Sequence, residues 1–279
     1  MEEPKGGRYL TDRFTDEAIR YVQRSHEKPF FLYLSFHNPH TPLQGPPELE
    51  QKYRARLKGR SKPGAGYAAM VENLDANVGR LLDALRETGQ AENTLVVFFS
   101  DNGGFPGATT NAPLRGGKKE FYEGGIREPM LACWPGHVQA GTTCSVPVHG
   151  VDFLPTFLAV AGAEAPAGHA LDGASLVPLL EGRTALRERP LHWHFPGYIK
   201  GKPPVGVVRR GDWKLLEFFE DGHLELYNLR EDISERNNRV EQKPELAQQL
   251  HELMRDWRSK VNAPMPQPNP DYQAGRGRE

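Results

Sequence analysis

Three short stretches of this 279-residue chain carry side chains that could act together on an anion. Asp101 and Asn102 follow the apolar run Thr94-Leu95-Val96-Val97-Phe98-Phe99-Ser100. Their hard oxygens suit Ca²⁺ or Mg²⁺ better than a thiophilic metal. His37 and His40 lie in His37-Asn38-Pro39-His40-Thr41-Pro42, a proline-bound loop rather than a helix. Lys118 sits in a glycine-bordered segment from Leu114 to Pro129 that also holds Arg115, Lys119, Glu120, Glu123, Arg127 and Glu128. Glycines permit close backbone approach to a ligand, and a fixed ammonium serves an anionic oxygen as a point charge. Ordinary alternatives exist. Asp-Asn-Gly is a common turn former, and prolines can pack a His-Asn-Pro-His loop with both imidazoles solvated. The three stretches together favour a ligand-facing role for His40, with His37 as its support.

The elements that must position these residues are legible by period. The run ending at Ser100 does not alternate, so it reads as a strand buried on both faces, as in a parallel sheet. Open α/β sheets gather ligands past such C-terminal strand ends. Phe30 to Phe36 and Met130 to Trp134 read as two further buried strands. Thr15-Asp16-Glu17 reads as a helix start, with a hydroxyl cap and first-turn acids. Tyr67, Met70, Val71, Leu74, Val78, Leu81, Leu82 and Leu85 have amphipathic helical spacing, with Glu72 and Asp75 on the solvated side and Gly89 as the stop. Asp152 is expected to cap a helix from Phe153 to Ala161, ended by Gly162, and Ser175 to Leu180 forms a shorter one ended by Gly182.

From Pro190 the texture changes to short runs: 191–195, 205–209, 213–219 and 224–228. Arg210-Gly211-Asp212 and Glu220-Asp221-Gly222 divide the later runs. This predicts a small antiparallel sheet, followed by a helix from Pro244 to Val261 with Leu246, Leu250, Leu253, Met254 and Trp257 on one side. The expected organisation is a catalytic-type α/β portion over 1–185, a small α+β subdomain over 186–262 and a flexible tail over 263–279.

Composition narrows the class. Hydrophobic residues make up 38% and charged residues 25%, with a formal net charge of -1. Nothing is basic enough to suggest nucleic acid, and no apolar stretch approaches the ~20 residues of a membrane span. The opening residues hold no signal-peptide core, and compartment stays open. Cys133 and Cys144 read as two unpaired thiols, with a single bridge as the alternative.

The segments Ser100-Asp101-Asn102-Gly103-Gly104, Leu114-Arg115-Gly116-Gly117-Lys118 and Tyr122-Glu123-Gly124-Gly125-Ile126-Arg127-Glu128-Pro129, in this order, resemble the second half of the catalytic domain of sulfatases. These are formylglycine-dependent, arylsulfatase-like members of the alkaline-phosphatase superfamily. The resemblance implies an alkaline-phosphatase-like α/β sheet flanked by helices, incomplete at its N-terminus, plus the small C-terminal antiparallel sheet with its packed helix. It implies hydrolysis of sulfate monoesters, with Asp101 and Asn102 as Ca²⁺ ligands and Lys118 and His40 as catalytic donors to the sulfate. Arg115 and His194 would line the alcohol side; His194 reads alternatively as a core or edge histidine beside Trp193. The partner would be a sulfated small molecule or glycan.

On two points the chain departs from the family. The nucleophile is a formylglycine made in a Cys/Ser-x-Pro/Ala-x-Arg motif, and neither Cys133 nor Cys144 lies in one. The early Asp-Asp pair that completes the metal site is also absent, and calcium takes ~6–8 oxygens. Three readable buried strands are few for a covered sheet. The expectation is therefore a chain that begins partway into a sulfatase and is incomplete or inactive alone, with a missing N-terminal segment or subunit. Two other readings remain: a non-catalytic anion-binding relative, and a phosphodiesterase or phosphonate hydrolase of the same superfamily. The lack of a His after Asp101-Asn102 weighs against the last.

Overall fold

The computed structural model describes residues 7–24, 26–58, 64–183, 186–267 and 269–270. The expected tail is thus described only at 263–267 and 269–270, and its remainder lies outside the described residues. The chain divides into two compact units, one of residues 1–110, 128–144 and 179–183, the other of 111–127, 145–178 and 184–279.

In the first unit, helix α1 (Leu10–Val22) packs on α3 (Ala65–Glu87), with α2 (Pro47–Leu57) also against α3. Thr15 does not start α1. It lies mid-helix, and its hydroxyl donates to the Thr11 carbonyl at 3.0 Å. Thr11, Thr15, Ala18 and Val22 form the buried stripe, a spacing of four and three that threonines disguise when only aliphatics are counted. Facing it, Asn73 and Asn77 are buried on α3 and both donate to Asp12 Oδ1, at 2.9 and 2.7 Å. Val71 is instead exposed, because the carboxylate–amide cluster, not the aliphatic stripe, faces α1. Glu72 is paired with Lys52 at 2.6 Å rather than merely solvated. Gly89, at φ +69°, ends α3 as expected, and Gln90 N returns to the Leu85 carbonyl at 2.9 Å.

Strand β1 (Val96–Phe99) pairs with β2 (Met130–Cys133) in antiparallel register, Val96 opposite Cys133 and Phe99 opposite Met130. The parallel arrangement expected for β1 is therefore corrected for this pair. Among the described residues these two strands form a sheet by themselves, so β1 is half-buried rather than covered on both faces. Residues 30–36 are extended but join no sheet, and Phe31 and Tyr33 alternate outward from Leu32 and Leu34.

The second unit is built on a four-stranded antiparallel sheet in the order β3 (Leu191–Phe195), β4 (Val205–Arg210), β5 (Trp213–Phe218), β6 (Leu224–Asn228). It contains α4 (Glu123–Ile126) and α5 (Phe153–Val160); the short helix expected near 175–180 is α6 (Val177–Leu180), and α7 (Pro244–Lys260) is the last helix, as the spacing predicted. Alternation along the strands gives the sheet two apolar faces. Val208, Leu215 and Leu226 pack with Ala247, Leu250 and Met254 of α7. On the other face Val205, Val207, Leu216 and Tyr227 pack against Phe121 and Tyr122. The glycine-bordered lysine segment is thus laid on the back of this sheet.

Asp152 stands at the N-cap position of α5 as expected, but its side chain makes no cap bond to that helix and joins a capping box with His149 in the preceding turn instead. It is fully buried at the third position of the turn Gly150–Asp152, where Oδ2 accepts from His149 N at 2.8 Å and Oδ1 from Ala174 N at 2.9 Å, and Arg189 neutralises it. Its charge therefore ties three distant segments together.

On β3, His192 stacks on Trp257 of α7 with ring centroids 4.7 Å apart, and its Nδ1 is buried without a hydrogen bond. Burial, and then the nearby His149, push the imidazole down to about 4. A histidine lowered in the fold binds fewer protons there than when unfolded. Its contribution is complete above about pH 6.5 and is lost as pH falls toward about 4. Urea unfolding of His192→Phe at pH 7.5 and 4.5 is expected to show a smaller acid loss than wild type. Equal losses would remove His192 as the cause.

Candidate active site

In the first unit, the loop bearing His40 is fixed from three sides. Asn38 Nδ2 donates to the Met70 carbonyl of α3 at 3.1 Å, and the Tyr9 hydroxyl lies 3.1 Å from Asn38 Oδ1 and 2.8 Å from the Gln44 carbonyl oxygen. His40 N donates to the His37 carbonyl at 2.9 Å, and the two rings lie 5.2 Å apart. His40 itself is exposed. Its Nδ1 is 2.9 Å from the Thr41 carbonyl oxygen, which can only accept, so Nδ1 carries a proton. The neutral ring then leaves Nε2 as an acceptor, and His40 donates through Nε2 only as imidazolium.

Asp101 and Asn102 follow β1 directly. Continuing the β1–β2 register two residues past Phe99 and Met130 sets Asp101 across from Glu128, and Ser100 N donates to the Pro129 carbonyl at 3.4 Å between them. Burial, and then the charge of Asp101, raise the Glu128 carboxyl to about 7. Glu128 Oε1 and Asn102 Oδ1 are both buried without a hydrogen-bond donor. Orphaned buried oxygens are costly. Hard oxygens beside an exposed carboxylate fit a hard cation, although no cluster of three or more His, Cys, Asp or Glu occurs among the described residues. Glu128 entered the sequence reading only as one acid of a charged segment. Its position opposite Asp101 needs the strand register.

In the second unit, the segment 111–127 folds back on itself. Asn111 Nδ2 donates to the Gly116 carbonyl at 3.2 Å, Gly124 N to Arg115 O at 2.8 Å and Glu120 N to Gly117 O at 2.9 Å. A Cβ built on Gly124 would stand 2.5 Å from the Arg115 and Gly116 carbonyl oxygens. Only glycine permits that approach. Lys118 sits half-buried in this turn.

Arg115 stacks on the Tyr122 ring at 3.6 Å and donates to Tyr227 Oη, Tyr122 Oη and the Glu235 carbonyl, each at 2.9 Å. Both phenols donate to Glu225 Oε2, at 2.8 and 2.9 Å. Burial, and then Glu225, push the Tyr122 hydroxyl far above its ordinary range, so it stays a donor. Arg115 also borders an open cavity of ≈510 Å³ with Leu114, Ser234 and Arg236. His194, on β3, directs Nε2 to the Pro264 carbonyl at 2.7 Å, with its ring near Phe219 and Trp257. Of the six residues singled out by sequence, His40, Asp101 and Asn102 belong to the first unit, and Arg115, Lys118 and His194 to the second. Cys133 and Cys144 are both free and exposed.

The chain is similar to known proteins in both sequence and fold. The sulfatase family model matches residues 2–163, and that for the C-terminal part of N-sulphoglucosamine sulphohydrolase matches 117–260. A sulfatase of Formosa agariphila is 39% identical over 92% of this chain and 51% of its own length. Human arylsulfatase A is 37% identical over 77% of this chain and 40% of its own. Among solved structures, Ps i-CgsB superposes with a TM-score of 0.81 at 36% identity, over 92% of this chain and 56% of that one. The chain spans about half the length of the curated relatives it matches. No helix among the described residues is long and apolar enough to cross a membrane. The fold is the alkaline-phosphatase-like fold of these neighbours, and the chain belongs to the sulfatase family.

Proposed function

We propose that this chain supplies part of the active site of a sulfuric ester hydrolase that cleaves sulfate monoesters, with sulfated glycans as the substrate class. The observation that carries the reading is Lys118 held in a backbone-stapled turn of the glycine segment, in a chain whose family hydrolyses such esters. One solved relative was crystallised with a neocarrahexaose and another with D-glucosamine-2-N,6-O-disulfate, which supports a glycan carrier.

Lys118 donates to a sulfate oxygen and balances the negative charge that grows on the departing alcohol oxygen, typically a large electrostatic contribution. His40, as imidazolium, adds a second donor through Nε2. Arg115 and His194 line the alcohol side, both already ordered by the hydrogen bonds described above. Family members generally carry formylglycine and Ca²⁺. Asp101 and Asn102 would hold the ion, with Glu128 beside them as a third hard oxygen group, and a bound Ca²⁺ supplies positive charge to the sulfuryl oxygens. We assign neither Cys133 nor Cys144 as the nucleophile, because neither lies in the required motif.

In the active protein, Lys118→Ala is expected to lower kcat on an aryl sulfate by about 10²-fold or more, as for the loss of one preorganised donor. A fall below about threefold would reject this role.

A further inference from the structure

The side chain of Arg115 does more than border a cavity. Arg115 and Tyr122 stand at the two ends of the loop whose middle is Gly116-Gly117-Lys118-Lys119-Glu120-Phe121. Three contacts close that loop at its base. Gly124 N donates to the Arg115 carbonyl at 2.8 Å. The guanidinium stacks 3.6 Å from the centre of the Tyr122 ring, and Nη2 donates to Tyr122 Oη at 2.9 Å. A loop held at both ends has few conformations left to it, so its base sets where Lys118 can reach.

The base is in turn pinned to the sheet. Arg115 Nη1 donates to Tyr227 Oη on β6 and to the Glu235 carbonyl, both at 2.9 Å. Tyr122 and Tyr227 both donate to Glu225 Oε2, at 2.8 and 2.9 Å, and Arg115 Nη1 stands 3.8 Å from that same oxygen. One carboxylate oxygen has lone pairs for both phenols, and bonds to a charged acceptor are roughly twice as strong as neutral ones. Glu235 is fixed as well, because Glu123 N donates to its Oε2 at 2.6 Å and Lys214 Nζ holds its Oε1 at 2.9 Å. Arg115 therefore commits three of its N–H donors to the protein itself. What it offers the alcohol side is charge and shape, while these hydrogen bonds belong to the loop.

We infer that Tyr122, Tyr227 and Glu225 are positioning residues: with Arg115 they form a clasp that fixes the Lys118 ammonium relative to β6, where it meets the departing alcohol oxygen. The inference rests on the reading of Lys118 as the ammonium that serves the sulfate and the leaving oxygen. A group displaced by ~1 Å can cost as much as about 10²-fold in rate, so a clasp at the base of the loop acts on the chemistry without touching the substrate.

The two phenols test this, since phenylalanine keeps both rings and the stack under Arg115. In Tyr122→Phe/Tyr227→Phe, the amides of Glu120, Gly124 and Gly125 bond within this segment at 2.9, 2.8 and 2.8 Å. They are expected to exchange hydrogen about tenfold faster in the full chain, while those of β4 and β5 hold within about twofold. In the active protein, the same variant is expected to lower kcat by about tenfold on phenyl sulfate. On 4-nitrophenyl sulfate, whose better leaving group needs less help from an ammonium, the fall stays below about threefold. Added to Lys118→Ala, the two substitutions should change kcat by less than about twofold, because they act through a group no longer there. Unchanged exchange in the loop overturns the clasp. So does a loss that persists in full on Lys118→Ala, or one equal on both esters, which is the pattern of a smaller folded fraction. If exchange quickens but Lys118→Ala itself costs less than about threefold, the reading of Lys118 falls and the clasp stands as what orders the loop.

Discussion

Replacing Lys214 by alanine is expected to destabilise the second unit by about 3–5 kcal/mol, the cost of removing one partner from a buried ion cluster. Lys214 points into the back of β5 with no solvent exposure, and Nζ lies 3.0 Å from Glu123 Oε1 and 2.9 Å from Glu235 Oε1. Both carboxylates are also buried, and Glu235 Oε2 accepts from Glu123 N at 2.6 Å. Without the ammonium, two acids would share a desolvated space. Arg209 and Arg127 pair with Glu123 and not with Glu235, and at the longer distances of 3.8 and 3.4 Å. Burial already raises the Glu235 carboxyl, with Lys214 working against it. Removing Lys214 would leave that carboxyl to take up a proton. Glu235 is moreover held at φ +51°, so its backbone cannot relax freely. Urea unfolding followed by tryptophan emission reads the effect, since Trp193, Trp213 and Trp257 all lie in this unit. The triple change Lys214→Met/Glu123→Gln/Glu235→Gln is expected to recover part of the loss, because no unpaired charge remains. A loss below about 1 kcal/mol for Lys214→Ala would mean that the cluster is not desolvated in solution.

This cluster also shows where the sequence stops being readable. The strand run Trp213-Lys214-Leu215-Leu216 is legible as β structure, but Lys214 meets Glu123 from 91 positions away, and no local pattern marks that pairing. Helix α3, the four-stranded sheet and α7 were legible because each repeats an apolar period over its whole length. Helix α2 was not, because Pro47–Leu57 is densely charged and buries no residue fully. It is held instead by contacts such as Lys52 to Glu72 and Glu50 to the Gly45 amide. The segment 30–36 failed for the opposite reason: its apolar composition is that of a strand, but composition does not say what it pairs with. Strand direction is equally silent in composition, and the antiparallel register of β1 and β2 sets Glu128 opposite Asp101. The candidate site divides in the same way. Asp101, Asn102, Lys118 and His40 lie in short motifs whose order along the chain carries the signal.

The glycine pair beneath Lys118 gives the second large effect. Gly125→Ala is expected to destabilise the second unit by about 3 kcal/mol or more, lowering its melting temperature by roughly 6–12 °C. A Cβ on Gly125 would lie 1.9 Å from the Glu120 carbonyl oxygen and 2.6 Å from that of Gly117. Both are backbone atoms of the turn that carries Lys118, so no side-chain rotation relieves the overlap. The φ of Gly125 is not positive, and the substitution therefore acts through close approach alone and not through backbone strain. Relief requires the turn to lift from α4, which breaks Gly124 N to Arg115 O at 2.8 Å and loosens Phe121 and Tyr122 from the sheet. Lys118 would move with it, so the active protein should lose kcat in Gly125→Ala toward the level of Lys118→Ala. Gly197→Ala is the matched control: it lies in the same unit, its φ is not positive, and nothing stands within 4 Å of its added Cβ. Its cost should stay within about 0.5 kcal/mol. Equal melting temperatures for the two variants would mean that the Glu120 carbonyl does not lie against Gly125 and that the glycine pair is not what holds Lys118 in place.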